Sequence, residues 1–99
     1  MLNPVTIPAR SSRARLENDS ENAVIVDLES AQRYETNEVG VFVWNLADGI
    51  CNCAFLCDAV TDEFQVAKEI AQADLCAFIE EMVDRGLMTL REPELSAAG

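Results

Sequence analysis

The stretch ESAQRYETNEVGVFVWNLADG, residues 29–49, contains the point at which the hydrophobic period of the sequence changes. The segment QRYET has strand character, with Asn37 directly after it. Beyond Asn37, apolar residues recur at helical spacing, at Val39, Phe42, Val43 and Leu46. Asn37 is a favourable N-cap residue, and Gly49 stands where a glycine commonly ends a helix. The stretch therefore predicts a strand followed directly by a helix over residues 38–48.

Two more segments with strand character lie upstream, SRARLE (12–17) and AVIVDL (23–28). The polar turn residues 18–22 separate them, and residues 29–31 separate the second from QRYET. Two tight turns predict a three-stranded antiparallel meander. In the middle strand, we expect Val24, Val26 and Leu28 to form the apolar face, with Ile25 and Asp27 opposite.

Two more helices are predicted downstream. Asn52 can cap a helix over residues 53–63, whose apolar stripe consists of Cys53, Leu56, Cys57, Val60 and Phe64. A third helix ends at Arg85-Gly86 and carries one apolar face, formed by Ala71, Leu75, Phe78, Ile79 and Met82. A short extended segment, LMTLR, follows. The order predicts an α+β domain of winged helix-turn-helix type, a three-stranded antiparallel β-meander followed by three α-helices.

A chain of 99 residues fits one domain. We expect this domain to span residues 11–91. Residues 1–10 contain Pro4 and Pro8 and no clear periodicity, which predicts a flexible N-terminal arm. Residues 92–99 combine one proline with small side chains, and we expect them to form a flexible C-terminal tail.

The charge balance limits the partners. The chain has 18 acidic residues against 7 basic ones and a formal charge of −11, so it should repel phosphate backbones and anionic lipids. We therefore expect neither a nucleic acid nor a membrane as partner. The acidic surface is either a solvated face or a means of attracting a basic peptide or enzyme. No apolar run reaches transmembrane length, and we expect a cytoplasmic protein.

The chain contains no histidine, which removes the commonest general base and the usual nucleophile pairs. No catalytic residue stands out, and the chain is not expected to be an enzyme. Four cysteines occur, Cys51, Cys53, Cys57 and Cys76. Their spacing differs from the paired C-x2–4-C motifs of zinc sites, and Cys53 and Cys57 fall in the core stripe of the second helix. We expect small buried side chains here, no metal and no cofactor.

These residues resemble a known family, the PqqD-like proteins, which are peptide-recognition elements in the biosynthesis of ribosomally made, post-translationally modified peptides. In the first half the resemblance rests on Ser30, Tyr34, Asn37, Glu38, Val39, Gly40, Val43, Trp44, Asp48 and Gly49. In the second half it rests on Asp74, Leu75, Phe78, Ile79, Met82, Gly86 and Leu87. It covers roughly residues 13–90. The chain departs from the family pattern at Arg33, Thr36 and Asn52-Cys53.

The resemblance implies a noncatalytic module that captures the leader segment of a precursor peptide by β-strand addition. It would present that segment to a modifying enzyme such as a radical SAM enzyme, a cyclase or a leader protease. Carried over by position, the peptide-binding residues are Arg33, Tyr34, Glu35 and Thr36 on the edge strand, with Leu75, Cys76, Ile79, Met82 and Val83 on the third helix. An open strand edge can also pair with a second copy, so a homodimer is possible.

Two other functions stay open. A winged-helix transcription regulator would share the architecture, but its third helix would need Lys and Arg for phosphates, and this one carries Glu80, Glu81 and Asp84. A thiol-based metal or redox protein is the other alternative, because four soft ligands are available in the chain.

Overall fold

The computed structural model describes residues 2–19 and 22–92. In chain order the elements are β1 (Ile7–Arg10), β2 (Ala14–Asp19), β3 (Asn22–Asp27), β4 (Arg33–Thr36), α1 (Glu38–Leu46), α2 (Cys53–Phe64), α3 (Lys68–Asp84) and β5 (Met88–Arg91). Strands β2, β3 and β4 form an antiparallel sheet in that order, and the three helices follow it. The predicted fold class is confirmed. A second sheet of two strands, β1 and β5, joins the two ends of the described chain.

The middle strand turns a different face to the core from the one predicted. Ile25 is fully buried in the main hydrophobic cluster, while Leu28 is 51% exposed. Val24 and Val26 share one face as predicted, but the helices pack on the opposite face, which carries Ile25, and Leu28 is not buried. Alternation could not decide the question, because β3 carries apolar side chains on both faces.

Val24 and Val26 are nevertheless buried on the outer face of the sheet. Their cross-strand neighbours include Glu17, Arg15 and Arg33, which therefore share this face. Glu17 binds Arg15 at 2.8 Å and lies 3.7 Å from Arg33. Long charged side chains can shield apolar neighbours with their aliphatic stems and keep their charges at the surface, which accounts for the low exposure of the two valines.

The predicted helix caps are present. The Asn37 side chain accepts a hydrogen bond from the Gly40 amide, and Asn52 accepts one from the Phe55 amide, each at 2.9 Å. Helix α1 ends two residues earlier than predicted, at Leu46, and the chain then turns through Gly49 with φ of 84°. Trp44 is buried in the core, and Phe55 is 53% exposed, as expected for a residue opposite the stripe of α2.

The N-terminal segment departs from the expected flexible arm. Residues 7–10 form β1, which pairs with β5, and Arg10 donates to the carbonyl oxygens of Trp44 and Asn45 at the end of α1. The carbonyls of Pro4 and Thr6 accept from the first amides of α2. The two prolines are compatible with this ordered segment, although they lack an amide hydrogen. Their carbonyl oxygens accept hydrogen bonds, Pro4 from the Ala54 amide and Pro8 from the Gly49 amide. Of the predicted turn and tail, residues 20–21 and 93–99 lie outside the described residues.

A buried carboxylate connects the sheet to the end of α3. Asp27 is 4% exposed and accepts hydrogen bonds from the amides of Glu29 and Ser30. Arg13 binds Asp27 at 3.1 Å, and the same guanidinium nitrogen lies 3.4 Å from the carbonyl oxygen of Arg85. The amide of Glu29, followed by Ser30 and Arg13, lowers the pKa of Asp27. Ionised Asp27 therefore fixes both the β3–β4 turn and Arg13.

We expect the substitution Asp27→Asn to make the folded protein less stable near neutral pH. Because folding lowers the pKa of Asp27, its ionised form contributes stability above the unfolded value of about 3.9, and this is lost as pH falls through the folded pKa. The difference from the unsubstituted protein, measured by urea unfolding over a pH series, should therefore shrink on acidification. Glu29→Gln, at an exposed ion pair of 3.8 Å, is the matched control. A stability difference between Asp27→Asn and the parent that does not change with pH would show that the ionised form of Asp27 is not what stabilises the fold.

Deletion of residues 2–6 should destabilise the fold by roughly 1–3 kcal/mol, because the first amides of α2 lose their acceptors. It should also speed reaction of the Cys53 thiol with a thiol reagent, since Leu2 and Pro4 line the cavity beside it. Val5→Ala, at an exposed side chain, keeps the backbone acceptors and serves as control. If the deletion variant and the parent have equal unfolding midpoints and equal Cys53 labelling rates, residues 2–6 neither stabilise the fold nor shield Cys53.

Candidate functional site

A groove of about 500 Å³ runs between strand β4 and helix α3. The first turn of α1 closes it below. Its lining residues come from all three elements: Glu35, Thr36, Asn37, Val39, Gly40, Asp74, Ala77, Phe78 and Glu81. The four residues from α3 recur at helical spacing, so they form one stripe along that helix.

One wall of the groove is the edge strand of the sheet. The Asp27 amide donates to the Gln32 carbonyl at 2.9 Å, and from there the ladder alternates, so Tyr34 and Thr36 direct their backbone groups toward β3. The amide and carbonyl of Glu35 consequently point away from β3. Within residues 2–19 and 22–92, no strand pairs with β4 on that side. The groove thus borders a strand edge that can accept another strand.

The floor of the groove depends on a glycine. A Cβ atom at Gly40 would overlap the Thr36 hydroxyl and would lie only 3.0 Å from the Phe78 ring. The lack of a side chain at Gly40 lets β4, α1 and α3 approach closely at this point. Phe78 is half-buried and contacts the hydrophobic core, so its ring is held in place beside the groove.

An arginine holds the C-terminal end of α3 against the same sheet edge. The Arg85 guanidinium lies over the Tyr34 ring, 4.2 Å from its centroid, and binds Glu81 at 3.0 Å. Hydrogen bonds to Glu81 and Tyr34 raise the pKa of Arg85. The Tyr34 hydroxyl donates to Gln32 at 2.5 Å. Tyr34 therefore contacts the core and Arg85 and fixes the edge strand.

The predicted edge residues lie where they were expected, on strand β4. Arg33 and Glu35 are exposed and Tyr34 and Thr36 are half-buried. Glu35 and Thr36 line the groove directly. Of the predicted helix wall, Leu75, Ile79 and Met82 are at most 2% exposed and belong to the core. Cys76 and Val83 are half-buried on the other flank of α3.

The helix residues that line the groove are Asp74, Ala77, Phe78 and Glu81, which are not among the predicted site residues. The core stripe of α3 has two flanks, and its periodicity is the same whichever flank the sheet approaches. The sequence signal for the flank that lines the groove is the position of Phe78 at one border of the stripe, between two acidic residues at i−4 and i+3.

A second cavity, of about 360 Å³, lies between the N-terminal segment, α2 and α3. Cys53, Cys57 and Cys76 line it. Cys53 and Cys57 are buried, as predicted. Burial raises the pKa of Cys53 to about 11 and also raises that of Cys76, which disfavours the thiolate. Within the described residues, no group of three or more Cys, Asp or Glu side chains is arranged to hold a metal ion.

The fold and the groove together define a small α+β domain with an open strand edge beside a helix, a surface suited to an added strand. The family model of Coenzyme PQQ synthesis protein D (PqqD) matches residues 22–88. The chain belongs to the PqqD family.

Two solved structures share the fold. TbiB1 in complex with the TbiA(beta) leader peptide has a TM-score of 0.68 and 19% sequence identity, over 81% of this chain and 93% of that one. Lasso peptide synthetase B1 complexed with the leader peptide has a TM-score of 0.71 and 15% identity, over 83% of this chain and 96% of that one. No curated protein sequence matches significantly. None of the described helices is both long and apolar enough to span a membrane.

The Gly40→Ala substitution tests the floor of the groove. At an ordinary helix position this change stabilises by about 0.5–1 kcal/mol. Here the new methyl group meets Thr36 and Phe78, and we expect a loss of roughly 1–3 kcal/mol in the free energy of unfolding, measured by chemical denaturation. The double variant Gly40→Ala/Thr36→Ala should recover part of it. A Gly40→Ala protein more stable than the parent would contradict the close approach.

Proposed function

We propose that this protein binds the leader segment of a ribosomally made precursor peptide by adding it as a strand beside β4. The observation that carries the proposal is the outward-pointing backbone of Glu35 at the border of the groove along α3. Backbone pairing there would provide affinity without regard to sequence. Side chains that enter the groove would provide selectivity.

The groove suits an extended peptide. Side chains of an added strand alternate between the two faces of the sheet, so every second one would point toward α3. There it would meet the ring of Phe78 and the side chains of Val39 and Ala77. An apolar side chain buried against these residues would contribute roughly 1.5–3 kcal/mol.

The comparisons support this proposal in two ways. The chain belongs to the PqqD family by a match over residues 22–88. Two proteins of the same fold, TbiB1 and lasso peptide synthetase B1, have been solved with leader peptides bound. Their identity to this chain is 15–19%, so the support concerns the fold and its use, and the peptide preference has to be read from the residues of this groove.

We further propose that the bound leader is presented to a modifying enzyme, such as a radical SAM enzyme, a cyclase or a leader protease, in the cytoplasm. The protein itself would act without catalysis. The charged groups of the groove are carboxylates, and the chain has no histidine. Nothing lining the groove combines a nucleophile with a base, the arrangement on which covalent catalysis depends.

The alternatives receive less support. The exposed acidic residues of α3, Glu80, Glu81 and Asp84, would repel DNA phosphates, which disfavours a transcription regulator. The raised pKa of Cys53 and Cys76 disfavours redox chemistry at those thiols. A homodimer formed by pairing of two β4 edges would compete with peptide for the same backbone groups.

A binding titration tests the proposed function. Fluorescently labelled leader segments of precursor peptides encoded beside this protein would be titrated with the full chain and with Phe78→Ala. We expect loss of the Phe78 ring, which contacts the peptide, to weaken binding at least about tenfold. Phe55→Ala removes an exposed aromatic ring outside the groove and should bind normally.

Circular dichroism of both variants would show that they are folded, since Phe78 also contacts the core. Two results would reject the proposal. One is the absence of binding to any leader segment by the folded parent protein. The other is binding that folded Phe78→Ala retains in full.

A further inference from the structure

The helix wall of the groove is acidic. Asp74 and Glu81 lie on the α3 wall, with no Lys or Arg among the lining residues. Glu35 borders the groove from β4, but its side chain, opposite Val24, lies on the outer face of the sheet. Glu81 is neutralised by Arg85 at 3.0 Å. For Glu35 and Asp74 there is no ion pair with any residue in 2–19 or 22–92. Asp74 is therefore the carboxylate of the α3 wall without a positive partner among the described residues.

The spacing of Asp74 and Phe78 along α3 matches the spacing of side chains on one face of a β-strand. Asp74 precedes Phe78 by four residues, which is about 6 Å along the helix axis. In an extended peptide, side chains on the same face are two residues apart, at about 6.6–6.8 Å. A strand in the groove runs along α3, so two of its successive inward side chains can lie beside Phe78 and Asp74.

We infer that the groove selects a leader segment in which a Lys or Arg stands two positions from an apolar residue, the apolar side chain on Phe78 and the basic one on Asp74. This inference rests on the proposed function and names its ligand chemistry. The residue between the two points to the outer face, where Glu35 lies, and a second basic residue is favoured there. An acidic residue at any of these positions is disfavoured, because it would meet carboxylates.

The overall charge favours the same ligands. A net charge of −11 attracts cationic peptides over distances longer than a single contact and speeds their association at low salt. This long-range attraction has no positional preference. The spacing of two residues between basic and apolar positions is therefore the feature that separates recognition in the groove from general attraction to an acidic protein.

The test is a selection from a displayed library of random dodecapeptides on the immobilised full-length protein. The same selection would be made on Asp74→Asn and on Glu80→Gln, which removes one exposed carboxylate of α3 that does not line the groove. We expect the parent and Glu80→Gln to enrich Lys or Arg two positions from an apolar residue. Asp74→Asn should lose that spacing. An individual selected peptide should bind Asp74→Asn roughly two- to fivefold more weakly.

The outcomes separate this inference from the proposed function. Two results would overturn the inference and leave strand binding intact. One is selected peptides that require Phe78 but carry no basic residue two positions from an apolar one, and the other is peptides that bind Asp74→Asn as well as the parent. Basic peptides that bind Phe78→Ala as well as the parent would show general charge attraction and overturn both. A folded protein that selects no peptide would also reject both.

Discussion

The close approach of Thr36 to Gly40 is the constraint on which the groove depends. One residue, Asn37, separates the end of β4 from the start of α1, and its side chain caps that helix. The edge strand is thereby held directly against the helices at a position where a larger residue than glycine does not fit. At the other end, Arg13 connects Asp27 of the sheet to the last turn of α3. The groove lies along β4 and α3 between these two connections.

Helix α3 uses one face to stabilise the core and another to line the groove. Leu75, Ile79 and Met82 are buried in the core, while Asp74 and Glu81 lie along the groove. Phe78 lies between these two faces, and its ring contacts the core and also lines the groove. Because the core fixes the helix, the groove side chains are held on a rigid element before any peptide arrives, which lowers the entropic cost of binding.

Much of the fold could be predicted from the sequence, because each helix carries its own signals, such as Asn37 and Asn52 at the N-caps. The failures concern relations between elements. Ile25 and Val24 are equally apolar, so alternation cannot say which faces the helices. The flank of α3 that meets the sheet depends on how the layers pack, and no local pattern records it. The N-terminal strand was missed because its partners, β5 and the α1–α2 region, are distant in sequence.

Strand addition at β4 can be tested by amide hydrogen exchange of the protein with and without a bound leader peptide, resolved residue by residue by NMR. We expect the Glu35 amide, which points away from β3, to become strongly protected on binding. The amides of Tyr34 and Thr36, already paired with β3, should change little. A bound leader that leaves exchange at Glu35 unchanged would show that the peptide binds elsewhere and would rule out strand addition at β4.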